Sequence, residues 1–145
     1  NEAQPYRLIE RLHSILGTLE NKKIVVLGLS FKPETDDIRE SPSLAIIKGL
    51  LAKKAKVTGV DPIAIDNTKK HFPQNDSLTY SVDYKNALKD AEAAILVTPW
   101  PDYINISPQE FKESMKEPIL VDGRRVFDKS SYESAGVQYI GVGLT

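Results

Sequence analysis

Phe31, Lys32, Arg39, Arg124 and Arg125 are the side chains of this 145-residue chain whose types and spacing best suit binding an anion. Phe31-Lys32 leaves a short apolar run, Ile24 to Leu29, and opens a loop that also carries Glu34, Asp36, Asp37, Arg39 and Glu40. A lysine ammonium there suits a phosphate or a sugar oxygen, and a neighbouring aromatic ring can line the pocket beside it. Arg39 suits two-pronged phosphate recognition, or equally a pairing with a local carboxylate that holds the loop. Asp37 reads as a residue that orders the loop. In Asp122-Gly123-Arg124-Arg125 the glycine permits a sharp turn, and adjacent arginines point in different directions. One can face a ligand while the other holds structure, for instance through Asp128. Each of these groups also has a plainer reading, as solvated charge on a surface loop.

The first loop closes on Ser41-Pro42, which reads as a helix start with Ser41 as the cap and Pro42 at the first helical position. A strand that delivers charged side chains to a helix N-terminus is a common way to build an anion site. The glycine-rich dinucleotide fingerprint is missing: the strand ends Gly28-Leu29-Ser30-Phe31, and its loop is too long for the tight turn over a pyrophosphate. NAD binding in the usual Rossmann manner is therefore not expected of these residues. Asp61-Pro62 reads as a strand-terminating turn, because aspartate bonds its own following backbone and proline stops a ladder. His13 and His71 lack metal-ligand spacing. Ser130-Ser131 reads as a helix start without a nucleophile elbow, and Trp100, between two prolines, as the packing of a rigid turn. Lys53, Lys54 and Lys56 read as a polar helix end.

The elements that must position these residues follow from periodicity. Pro5 to about Leu19 carries Leu8, Ile9, Leu12, Ile15 and Leu16 as one stripe of helical period. Short apolar runs follow at Ile24 to Leu29, Val57 to Val60, Ala93 to Val97, Ile119 to Val121 and Val137 to Ile140, as buried parallel strands require. Helical patterns lie at Ser43 to Lys53, about Ile63 to Phe72, Tyr84 to Ala91, Pro108 to Met115 and Lys129 to Ala135. Polar Pro73 to Tyr80 reads as a loop or a short edge strand. This alternation predicts an α/β, Rossmann-like three-layer sandwich with a mainly parallel sheet, preceded by an N-terminal helix. In such sheets ligands sit outside the carboxyl ends of the strands. The loops beginning at Phe31, Asp61, Thr98 and Asp122 all fall at that edge.

Composition bounds the rest. Apolar residues make up 41% and charged residues 27%, which is ordinary for one soluble domain. The net charge of -1 gives no electrostatic reason to expect nucleic acid or an anionic membrane as partner. No apolar run approaches the ~20 residues of a membrane span, and no signal peptide opens the sequence. The absence of cysteine excludes disulfides, thiolate metal sites and a cysteine nucleophile among these residues, and fits a cytoplasmic location.

The blocks LGLSFKPETDDIRESPS, VTGVDP and VDGRRVFD occur in an order and at a spacing that resemble the C-terminal domain of the UDP-glucose/GDP-mannose dehydrogenase family. The resemblance runs from about Lys23 to the C-terminus, and the DGRR form leans toward the UDP-glucose 6-dehydrogenases. It implies that Phe31, Lys32 and Arg124 contact a UDP-sugar, and that Arg39 contacts an NAD held mainly by an N-terminal domain. It further implies oxidation of UDP-glucose at C6 to UDP-glucuronate in two steps, each reducing one NAD+, with a cysteine nucleophile outside these residues. Asn1-Glu2-Ala3-Gln4-Pro5 resembles the end of the family's central connecting helix, so residues 1–20 are expected to be its tail and 21–145 the nucleotide-sugar-binding domain. Alone, this chain is expected to be inactive; joined to its N-terminal NAD-binding domain, a homo-oligomer is expected. The alternatives are a free-standing nucleotide-binding module without catalysis, or an assembly domain.

Overall fold

The computed structural model describes residues 3–144, so Asn1 and Glu2 of the N-terminal resemblance lie outside the described residues. Seven helices and six strands alternate along them: α1 Ala3–Leu16, β1 Lys23–Leu27, α2 Ser43–Ala52, β2 Lys56–Val60, α3 Ile65–His71, β3 Leu78–Ser81, α4 Tyr84–Leu88, β4 Ala93–Leu96, α5 Pro101–Ile104, α6 Pro108–Ser114, β5 Ile119–Asp122, α7 Lys129–Ser134 and β6 Gln138–Gly141. The strands form one sheet in the order β3-β2-β1-β4-β5-β6, with every pairing parallel. The chain builds outward from β1 to β3, then crosses back to lay β4 on the other side of β1. The switch point in strand order therefore falls between β1 and β4, where such sheets open a crevice for ligands.

The residues explain the layers. β1, β4 and β5 are central and apolar almost throughout, because both of their faces are covered. Alternate residues feed two cores. Ile24, Val26, Ile95 and Val121 pack with Leu8 and Leu12 of α1 and with Ile46, Ile47 and Leu50 of α2. Val25, Leu27, Ala94, Leu96 and Leu120 pack on the opposite face with Leu88, Phe111, Tyr132 and Phe127. Phe111, Phe127 and Tyr132 meet there edge to face, with ring centroids 5.0–6.1 Å apart. The edge strands β3 and β6 are only partly buried.

The predicted sandwich and its leading helix are what the chain forms. α1 stops at Leu16, earlier than the expected Leu19, because Gly17 takes φ +81 and its N–H closes the helix on the His13 carbonyl at 2.8 Å. Helix α2 is assigned from Ser43, with Pro42 in the cap position at φ -67 and ψ -9, one residue later than expected. Ser41 still serves that end, since its Oγ accepts the Ser43 N–H at 3.1 Å. The polar segment before Tyr80 contributes the edge strand β3. The four-residue helix α5, begun by Pro101 after Trp100, is an element that the periodicity did not reveal.

Candidate functional site

The loops that follow β1, β2, β4 and β5 are bonded to one another at the carboxyl edge of the sheet. Asp61, at the end of β2, is completely buried and its carboxylate is fully used. One oxygen accepts the N–H groups of Ile63 and Ala64 at 2.9 and 2.8 Å, which is the turn expected from the sequence. The other reaches across to β1 and accepts the Leu29 N–H at 2.8 Å. From β4, buried Thr98 donates its hydroxyl to the Ser30 carbonyl at 2.7 Å. Ser43, at the start of α2, donates to the Leu29 carbonyl at 2.6 Å. The exit of β1 is thus held from three sides before the chain reaches Phe31.

Glycine is required at that exit. Gly28 has φ +95, and a β-carbon on it would lie 2.2 Å from the Thr98 β-carbon. Asp122 repeats the arrangement at β5. It is fully buried, accepts the Arg124 N–H at 3.1 Å and the Phe127 N–H at 2.9 Å, and takes the Tyr139 hydroxyl at 2.8 Å. Burial first, and then this bond to Asp122, push the Tyr139 hydroxyl up to about 12. The Gly123 N–H donates to the Leu96 carbonyl at 3.1 Å, which joins the fourth loop to the third.

On this frame stand the residues singled out from the sequence. Phe31 is half-buried, and its N–H bonds the Asp37 carbonyl at 3.1 Å, pinching the loop shut at its base. Lys32 is exposed, with its ammonium 5.4 Å from the Phe31 ring centroid. The Arg39 guanidinium grips Asp37 in a two-pronged bond, Nε at 2.9 Å and Nη2 at 2.6 Å, so the loop-ordering role expected of Asp37 is visible as geometry. Those bonds hold the Asp37 carboxyl down to about 2 and raise Arg39 above its ordinary value. Phe31 and Arg39 line one cavity of about 390 Å³ with Asp37 and Glu40. Arg39 also borders a second, of about 470 Å³, shared with Asn67, Lys70 and His71 of α3. Asn67 fixes that side by donating to the Asp36 carbonyl at 2.9 Å.

Arg124 is half-buried at the head of the β5 loop and does not line either cavity. It stands two strands from Phe31-Lys32, with β4 between, a separation of about 10 Å at the strand spacing of a sheet. Arg125 does not pair with Asp128, whose carboxylate instead caps α7 by accepting the Ser131 N–H and hydroxyl. Trp100 packs against the second core beside α5, and its indole N–H is shut away without a hydrogen-bond partner among the described residues. Among the described residues, no group of three or more His, Asp or Glu is placed to hold a metal ion, and no helix is long and apolar enough to cross a membrane.

A doubly wound parallel sheet with charged loops at its carboxyl edge defines a Rossmann-like domain. The sequence matches the UDP-glucose/GDP-mannose dehydrogenase family, UDP binding domain, over residues 25–129, and the chain belongs to that family. It is 33% identical over 144 residues to a UDP-glucose 6-dehydrogenase of Rickettsia conorii, an alignment covering 99% of this chain and 33% of that protein. With the UDP-glucose 6-dehydrogenase AglM of Haloferax volcanii the identity is 39% over 137 residues, 92% of this chain and 30% of the relative. The structure of a UDP-glucose dehydrogenase from Pyrobaculum islandicum superposes with a TM-score of 0.81 at 33% identity, covering 100% of this chain and 31% of that one. The chain thus spans about a third of the length of the relatives it matches.

Proposed function

We propose that this chain is the nucleotide-sugar half-site of an NAD-dependent dehydrogenase that oxidises UDP-glucose to UDP-glucuronate in two steps. In this reading residues 21–145 form the binding domain, and α1 is the end of a helix leading from the NAD-binding domain. Lys32 binds the diphosphate as a point charge, Phe31 lines the pocket beside it, and Arg124 takes the other side of the ligand. The observation that carries the reading is the carboxyl edge itself. The loops after β1 and β5 are anchored by the buried carboxylates Asp61 and Asp122, and they hold Lys32 and Arg124 on opposite sides of the β4 end. A separation of about 10 Å between their strands matches a ligand with a charged diphosphate in the middle and a polar group at each end.

Arg39 contacts the dinucleotide in this reading, from a position between two cavities and gripped by Asp37. A seam against another domain also accounts for the apolar side chains left in water at the same edge, Ile63 after β2 and Val126 after β5, which are 50% and 46% exposed. The chemistry needs a nucleophile that this sequence, without cysteine, does not supply, so the isolated chain turns over no substrate. Calorimetric titration of the chain tests the proposal. UDP-glucose is expected to bind, and GDP-mannose to bind at least about tenfold more weakly, a difference of ~1.4 kcal/mol. Lys32→Ala is expected to weaken UDP-glucose binding by a similar factor or more, and unchanged affinity in that variant would remove Lys32 from the site.

A further inference from the structure

Away from Phe31 and Arg39, the structure assembles a second basic concavity. Arg11 of α1, Arg125 of the β5–α7 loop and Lys129 at the start of α7 line a cleft of about 390 Å³ against Tyr139, Ile140 and Gly141 of the edge strand β6. Among the described residues, no carboxylate lines it. Among the described residues, none of the three cations takes part in an ion pair; the arginine, lysine and carboxylate pairs formed are Lys22 and Lys116 with Glu92, Arg39 with Asp37, and Lys53 with Glu10. Asp122 and Asp128, three positions to either side of Arg125, are bound elsewhere, Asp122 by two backbone N–H groups and the Tyr139 hydroxyl, and Asp128 by Ser131. What sets these three cations apart is that side chains from three separate elements line one cleft.

The backbone adds to this. Arg125 has φ +56, a left-handed conformation that is strained for a residue with a β-carbon. The buried Asp122 carboxylate accepts the N–H groups on either side, of Arg124 and Phe127, and Arg125 lines the cleft while Arg124 does not. The two adjacent arginines thereby serve different places. Gathered cations with no internal partner repel one another, and a bound anion relieves that repulsion while gaining charge-assisted hydrogen bonds.

We infer that the Arg11–Arg125–Lys129 cleft binds a compact polyanion, specifically a small ligand bearing two or more linked phosphate groups. The three charges and the enclosed volume suit a diphosphate or triphosphate moiety. Inorganic pyrophosphate and ATP are the probes, titrated into the chain at low ionic strength and followed by backbone and arginine side-chain NMR signals. Saturable shifts are expected at Arg11, Arg125, Lys129 and Tyr139–Gly141, with single phosphate binding at least about tenfold more weakly than pyrophosphate. Equal affinity for pyrophosphate and ATP assigns recognition to the phosphates alone, and tighter ATP binding adds a contact to the base.

Arg125→Gly removes the charge and suits the left-handed backbone, so it separates loss of binding from loss of fold. It and Arg11→Ala are each expected to weaken pyrophosphate about tenfold while UDP-induced shifts at Lys32 persist. Pyrophosphate shifts confined to Lys32 and Arg124, non-saturating shifts everywhere, unaltered binding in Arg125→Gly, or tighter binding of an oligoglutamate peptide than of pyrophosphate would each overturn the assignment. Silence of UDP at Lys32 would instead count against the proposed function and leave the cleft standing.

Discussion

Gly28 shows how tightly single residues define the carboxyl edge. With φ +95 and the Thr98 side chain against its α-carbon, it admits no β-carbon without displacing the exit of β1. Gly28→Ala is expected to lower stability by about 2–5 kcal/mol, combining the left-handed penalty with overpacking. Urea denaturation measures it, and a loss below about 1 kcal/mol would contradict the geometry. A few residues on, the grip of Arg39 on Asp37 sets a pH dependence. The hydrogen bonds from Arg39 hold the Asp37 carboxyl down to about 2, below the ordinary carboxylate value near ~4. A carboxyl depressed in the folded state keeps its bond above the ordinary value and loses it as pH falls through the depressed one. The amide signals of Phe31 and Arg39 should therefore hold steady down to about pH 3 and move with a midpoint near 2; a midpoint near 4 would mean that the pair does not form in solution. From the sequence, Asp61 was legible as a turn because its two turn partners are its near neighbours. Its bond to Leu29 was not, because that pairing spans 32 positions and exists only once β1 and β2 lie side by side.

Among elements, the central strands were the most legible. Apolar runs such as those of β1 and β4 are what a strand covered on both faces must look like, and their register follows from packing. The boundaries were set by single residues whose effect is conformational: Gly17 ended α1 early, and Pro42 shifted the assigned start of α2. α5 escaped notice because four residues contain too little of a helical period to register. What joins the elements is the set of buried side chains at strand ends. Asp61→Ala would leave the buried N–H of Leu29 and the turn amides of Ile63 and Ala64 without their acceptor. A loss of about 3–6 kcal/mol is expected in denaturation. Asp61→Asn, which keeps one acceptor oxygen, should lose clearly less, and equal losses in the two would argue that the bonds do not carry the stability.

For the molecule as a whole, family membership was legible because the first block keeps its characteristic residues together in one loop. The second cleft was not, because Arg11, Arg125 and Lys129 meet only when α1 and α7 pack beside β6. The proposed UDP-sugar half-site, with Phe31, Lys32 and Arg124 as its contacts, lies in a chain that spans about a third of the length of the relatives it matches. The most direct test is a titration of the chain with UDP, UDP-glucose and NAD+, mapped by amide chemical shifts. UDP and UDP-glucose are expected to move the signals of Phe31, Lys32 and Arg124 together with one saturation curve, while NAD+ moves them little. Saturating UDP shifts that leave Lys32 and Arg124 unmoved, or a stronger response of those residues to NAD+ than to UDP, would contradict it.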